Sequence, residues 1–119
     1  MDDSRTTIEA LKTKMAAFVA ARQWEKFHRV DQLAKATSVE AAELLELFLW
    51  LAPGEVEQKM ADEVFRQSVS DELADVLMFL LSLANAADID IATAVDKKMA
   101  RNIVKYPAEK YQGFYAKPD

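Results

Sequence analysis

The chain has 119 residues, of which 51% are apolar, and a formal net charge of −5. That length suits one domain, the acidic balance excludes a basic surface for polyanions, and the absence of Cys excludes disulfides, thiolate catalysis and Cys-ligated zinc. With only two Gly and three Pro, and abundant Ala, Leu, Glu and Lys, an all-α bundle of four to five helices is predicted.

The polar, acidic start MDDSRTTIEA does not have the make-up of a signal peptide. A first helix is predicted from about Thr7 to Arg22, with Thr6 as N-cap and Glu9 completing a capping box. Ile8, Leu11, Met15, Phe18 and Val19 form its apolar stripe. Gln23–Val30 is aromatic and mixed in charge and reads as a connector. Asp31 is the predicted N-cap of a second helix reaching about Trp50, which Pro53 and Gly54 would end.

Two pairs of acids follow: Glu40 with Glu43, and Glu72 with Asp75, each three residues apart in a strongly apolar stretch. Residues i and i+3 share a helix face, so each pair aims both carboxylates the same way. An ionised carboxylate in apolar surroundings is costly unless it is paired or binds a metal. Most Glu side chains on helices are simply solvated, but two such pairs among Ala, Leu and Val argue for a shared cation site.

Geometry constrains how the pairs meet. Glu43 precedes the Pro53-Gly54 turn by roughly 15 Å of helix, whereas Glu72 follows it by roughly 27 Å if the intervening chain is one helix. The pairs would then stand about 12 Å out of level. A break is therefore predicted between about Gln58 and Ser70, followed by a helix to about Ala87; the alternative is that the acids meet across two subunits. Asp88 or Asp90 caps a last helix, about Ile91–Lys105, which Pro107 closes. The tail from residue 107 to 119 is predicted to be extended.

Val76–Leu81 leaves no polar face for nearly two turns, although it is far too short to span a membrane. Few other helices are available to cover it, which predicts a homo-oligomer, a dimer or a tetramer. A cytoplasmic protein without membrane or nucleic-acid partners is expected.

Four carboxylates and no Glu-x-x-His pair make an oxygen-only ligand set, suited to Mg²⁺ or Mn²⁺ rather than a di-iron site. The single His, His28, lies in the connector beside Trp24 and Phe27. Trp50 falls on the predicted stripe Glu40, Glu43, Leu47, Trp50. Aromatic faces stack on bases, and His hydrogen-bonds base edges, so Trp24, His28 and Trp50 are candidate ring-binding residues, with core packing the ordinary role of Trp and Phe. Lys98 and Asn102 share a face of the last helix, and Tyr106 continues that stripe if the helix lasts so far; these groups suit phosphate and sugar contacts.

Glu40-Ala-Ala-Glu43 and Glu72-Leu-Ala-Asp75 match the ExxE…ExxD signature of the MazG-like all-α nucleoside triphosphate pyrophosphohydrolases. With WEKFH, ELLELFLW, DELADVLMFLLSLA and the Lys98, Asn102, Tyr106 spacing, the chain from about Trp24 to Pro107 resembles the dCTP pyrophosphatase branch. It departs from the family in carrying Ala41-Ala42 where Gly often stands, and Ala still presents the acids on a helix. The resemblance implies cleavage of a (deoxy)nucleoside triphosphate to the monophosphate and pyrophosphate. It also implies Mg²⁺ on Glu40, Glu43, Glu72 and Asp75, with Glu40 or Glu43 as general base. A role in clearing unwanted dNTPs, with a pyrimidine preference, would follow. A non-catalytic helical module and a dUTPase-like relative are the competing expectations.

Overall fold

The computed structural model describes residues 1–113, and these contain six α-helices and no strand. They fall into two compact units, Met1–Asp88 and the chain from Ile89. In the first, α1 (Ile8–Ala21) is followed by a 3-10 turn at Glu25–Phe27, then α2 (Val30–Glu46), α3 (Pro53–Ala61) and α4 (Glu63–Ala87). The second holds α5 (Ile91–Lys105) and the single turn α6 (Ala108–Tyr111).

The N-cap of α1 is Thr7 rather than the expected Thr6. Its Oγ1 accepts from the backbone N–H of Ala10 at 3.0 Å. Adjacent Thr residues are equivalent caps by composition, and the position of the first apolar residue decides between them. α1 ends where Gln23 takes a positive φ of 54° and turns the chain into the connector.

α2 begins one residue before its expected cap. Asp31 lies in its first turn, held by two hydrogen bonds from Arg29 at 3.1 and 2.9 Å. Its end also differs from expectation: regular helix stops at Glu46, and the chain tightens through i→i+3 bonds such as Phe48 N–H to Leu45 O at 2.9 Å. Pro53 does not terminate a helix. It stands at the first position of α3, where its missing N–H has no helical partner in any case, and Glu55 Oε1 accepts from the Ala52 N–H at 3.2 Å.

The expected break between the acid pairs is present and is a single residue. Asp62 is extended (φ −78°, ψ 124°), ends α3, and caps α4 by accepting from the Phe65 N–H at 3.3 Å. Helix therefore resumes at Glu63 rather than near Ser70. Counted from Asp62, Glu72 lies about 15 Å along its helix, which removes the mismatch with Glu43.

α4 is the centre of this unit: α2, α1 and α3 each pack against it. The buried positions are Val19 of α1, Leu33 of α2, and Leu81, Ser82 and Ala84 of α4. Phe48 meets Phe65 edge-to-face at 5.6 Å where the α2 end approaches the start of α4. Leu77, Met78 and Leu80 stay partly exposed in the single chain. No helix among the described residues is long and apolar enough to cross a membrane by itself.

In the second unit Asp90, not Asp88, caps α5, accepting from the Thr93 N–H at 2.8 Å; Asp88 closes α4 with a left-handed φ of 54°. The tail expected to be extended forms one helical turn at Ala108–Tyr111, with Tyr106 and Tyr111 edge-to-face at 5.4 Å. The rest of that tail, 114–119, lies outside the described residues.

Candidate active site

α2 carries Glu40 and Glu43 on one face, and α4 brings Glu72 opposite them. One carboxylate oxygen from each of these three lies within 4.8 Å of the other two. Glu40 Oε2 and Glu72 Oε2 are closed off from solvent and have no hydrogen-bond partner. Among the described residues the ion pairs are Arg5–Asp2 and Arg29–Asp31, and neither involves these acids.

The electrostatic consequence is direct. Burial pushes the Glu40 carboxyl up to about 7, helped by the adjacent Glu43 carboxyl and by the charges of Asp75 and Glu72. Burial also raises Glu72, followed by the charge of the adjacent Glu43 and the charges of Asp75 and Asp71. Crowded carboxylates with inaccessible oxygens and no ion-pair partner among the described residues fit a hard divalent ion, which takes oxygen ligands. Asp75 is not among the three within 4.8 Å. It lines the adjoining cavity together with Glu40.

That cavity is about 690 Å³, in the range of small-molecule sites, and mostly apolar. The connector supplies Trp24 and His28, and α4 supplies Phe79 and Ser82. α1 supplies a further wall: Leu11, Met15, Phe18 and Val19 of its apolar stripe, together with Lys14. Phe18 and Trp24 meet edge-to-face at 5.8 Å. The Arg22 guanidinium lies 3.7 Å from the Phe18 ring centroid and donates to the Phe18 carbonyl oxygen at 3.0 Å.

The structure thus brings together Glu40, Glu43 and Glu72, and groups Asp75, Trp24 and His28 with Glu40 at one cavity. Phe27 points elsewhere and is exposed. Trp50 is 88% exposed and lies past the end of α2. The stripe expected to carry it toward the acids is interrupted, because the chain leaves regular helix at Glu46. Lys98 and Asn102 share a face of α5 in the second unit. Tyr106 is the residue after its last turn, and its N–H donates to the Asn102 carbonyl at 2.7 Å. The missed residues had a faint signal. Lys14 is a cation on the Met15–Phe18 side of α1, and Ser82 interrupts an otherwise apolar run.

The chain has relatives among known proteins. dCTP pyrophosphatase 1 of Homo sapiens is 38% identical over 102 residues, 86% of this chain and 60% of that protein. The Rattus norvegicus protein of the same name is 36% identical over 107 residues, 90% of this chain and 63% of its own length. The chain therefore spans about three fifths of the length of these curated relatives. A crystal structure of a pyrophosphatase from Archaeoglobus fulgidus superimposes with a TM-score of 0.80 at 35% identity, covering 90% of this chain and 98% of that one. The MazG-like family matches residues 35–117, a stretch that contains all four acids, most of α2 and all of α4, and on that match the chain belongs to the MazG-like family.

Proposed function

We propose that this chain hydrolyses nucleoside triphosphates, with dCTP or a similar pyrimidine deoxynucleotide preferred, to the monophosphate and pyrophosphate in the presence of Mg²⁺ (or Mn²⁺). The observation that carries the reading is the convergence of Glu40, Glu43 and Glu72, two of them with inaccessible unpartnered oxygens, beside a cavity faced by Trp24 and His28. The names of the human and rat relatives support the choice of dCTP.

Glu40, Glu43 and Glu72 would hold the cation, with Asp75 at the cavity side of the cluster. The chemistry such an ion supplies is neutralisation of charge on phosphate oxygens and a lowered pKa for water. Glu40 or Glu43 takes the proton of the attacking water, a carboxylate being able to serve as a general base. Trp24 and His28 receive the base. Lys98, Asn102 and Tyr106 contact phosphate and sugar in the assembled protein. The partly exposed Leu77, Met78 and Leu80 of α4, together with Trp50, support a homo-oligomer, a dimer or tetramer working on the cytoplasmic nucleotide pool.

Incubation with Mg²⁺ and each dNTP tests the reading. Pyrophosphate and a monophosphate are the expected products, fastest from dCTP. Orthophosphate as the sole product would place the cleaved bond elsewhere, and no product from any dNTP would favour a non-catalytic helical module.

A further inference from the structure

Ser82 is 4% exposed, and its Oγ has no hydrogen-bond partner. A helical hydroxyl commonly returns to the carbonyl four residues back. Thr37, Ser38 and Ser68 do so here, at 2.8, 3.2 and 3.2 Å. Ser82 does not, and it lies in the cavity wall with its Oγ covered in the ligand-free chain. A buried hydroxyl left unsatisfied is destabilising, and Ala would fill the position with better helix propensity. The hydroxyl therefore has a use that the ligand-free chain does not display.

Its register indicates the use. Asp75, Phe79 and Ser82 lie on one face of α4 and all line the cavity. Ser82 stands two turns beyond Asp75, roughly 10 Å along the axis, with the Phe79 ring between them in sequence. On the proposed function, a nucleotide with its phosphates at the acids would extend its ring along this face, with the edge remote from the sugar toward Ser82. The neighbouring walls, Leu11, Met15 and Val19, offer no hydrogen bond there.

We infer that Ser82 is a specificity-determining residue, whose Oγ hydrogen-bonds the polar edge of the base of a bound nucleotide. The inference rests on the proposed function for the site at which the phosphates are anchored. A hydroxyl both donates and accepts, so it takes an amino group, a ring nitrogen or a carbonyl at that edge, and gains nothing from an apolar one.

Ser82→Ala tests this against wild type in four measurements: thermal stability without ligand, kcat/KM on dCTP and dUTP, inhibition by inorganic triphosphate, and calorimetric binding of dCMP. The melting temperature should hold or rise. kcat/KM on dCTP, dUTP or both should fall about threefold to tenfold, through KM. Inhibition by inorganic triphosphate, which has no ring, should be unchanged. A pyrimidine triphosphate lacking the 4-substituent should distinguish the two proteins less than dCTP does. Unchanged kcat/KM on both nucleotides overturns the inference, and so does an equal loss of affinity for inorganic triphosphate, which would mean Ser82 acts through the helix. If the wild type cleaves no nucleotide, the proposed function falls and dCMP binding decides: weaker binding in the variant upholds the contact, whereas equal or absent binding overturns it.

Discussion

The side-chain amide of Asn85 in α4 donates to the backbone carbonyl oxygen of Lys12 in α1 at 3.0 Å, across 73 positions of sequence. The bond ties the wall that bears Lys14, Met15 and Phe18 to the helix that bears Asp75 and Ser82. Asn85→Ala should lower unfolding stability by about 0.5–1.5 kcal/mol and raise KM for nucleotide more than it lowers kcat. Urea denaturation and steady-state kinetics check both; an unchanged KM would show that the wall is held by α1–α4 packing alone.

The acid cluster should respond to cations in a way that a solvated helix face does not. Millimolar Mg²⁺ should raise the melting temperature of the wild type, because three crowded carboxylates are relieved by a bound ion. Glu43→Gln removes charge between Glu40 and Glu72. It should leave the cation-free protein as stable as wild type or more so, abolish the Mg²⁺ response, and reduce turnover by about 10²–10⁴-fold. Scanning calorimetry with and without Mg²⁺ is the check; a persistent cation-induced shift in the variant would remove Glu43 from the site.

Stability should depend on pH with a sign that the cluster dictates. The folded-state pKa of Glu40 is raised from 4.5 to about 7, so the folded chain binds this proton more tightly than the unfolded one does. Its contribution is fully present below the ordinary carboxylate value and is lost as pH rises toward about 7. Glu72 acts in the same direction. Asp31, held down to about 2 by its hydrogen bonds with Arg29, acts oppositely, contributing above 3.8 and losing that contribution as pH falls. Cation-free stability should therefore decline between about pH 5 and 7.5, and saturating Mg²⁺, which favours the ionised acids, should flatten or reverse the decline. Urea midpoints that climb over this interval without cation would contradict the assignment.

Trp50 is 88% exposed in the single chain, so the fold of one subunit owes it little. Trp50→Ala should leave the helical circular dichroism intact and shift the protein toward smaller species in analytical ultracentrifugation, with loss of activity if assembly completes the site. An unchanged sedimentation coefficient would free Trp50 from any role in the interface.

Spacing in the sequence determined the helices and the facing acids. Glu40 with Glu43, and Glu72 with Asp75, share helix faces whatever surrounds them, because the 3.6-residue period is a local property of the backbone. The need for a break between the pairs followed from rise per residue alone. Tertiary structure decided the rest. Asp62 became the single hinge, α2 stopped at Glu46, and Trp50 turned outward, since helix ends depend on competing caps and on what each turn packs against. The α1 wall of the cavity and the buried, unpartnered hydroxyl of Ser82 were not legible in the chain, because burial is a property of neighbouring helices and no local pattern encodes which helix arrives.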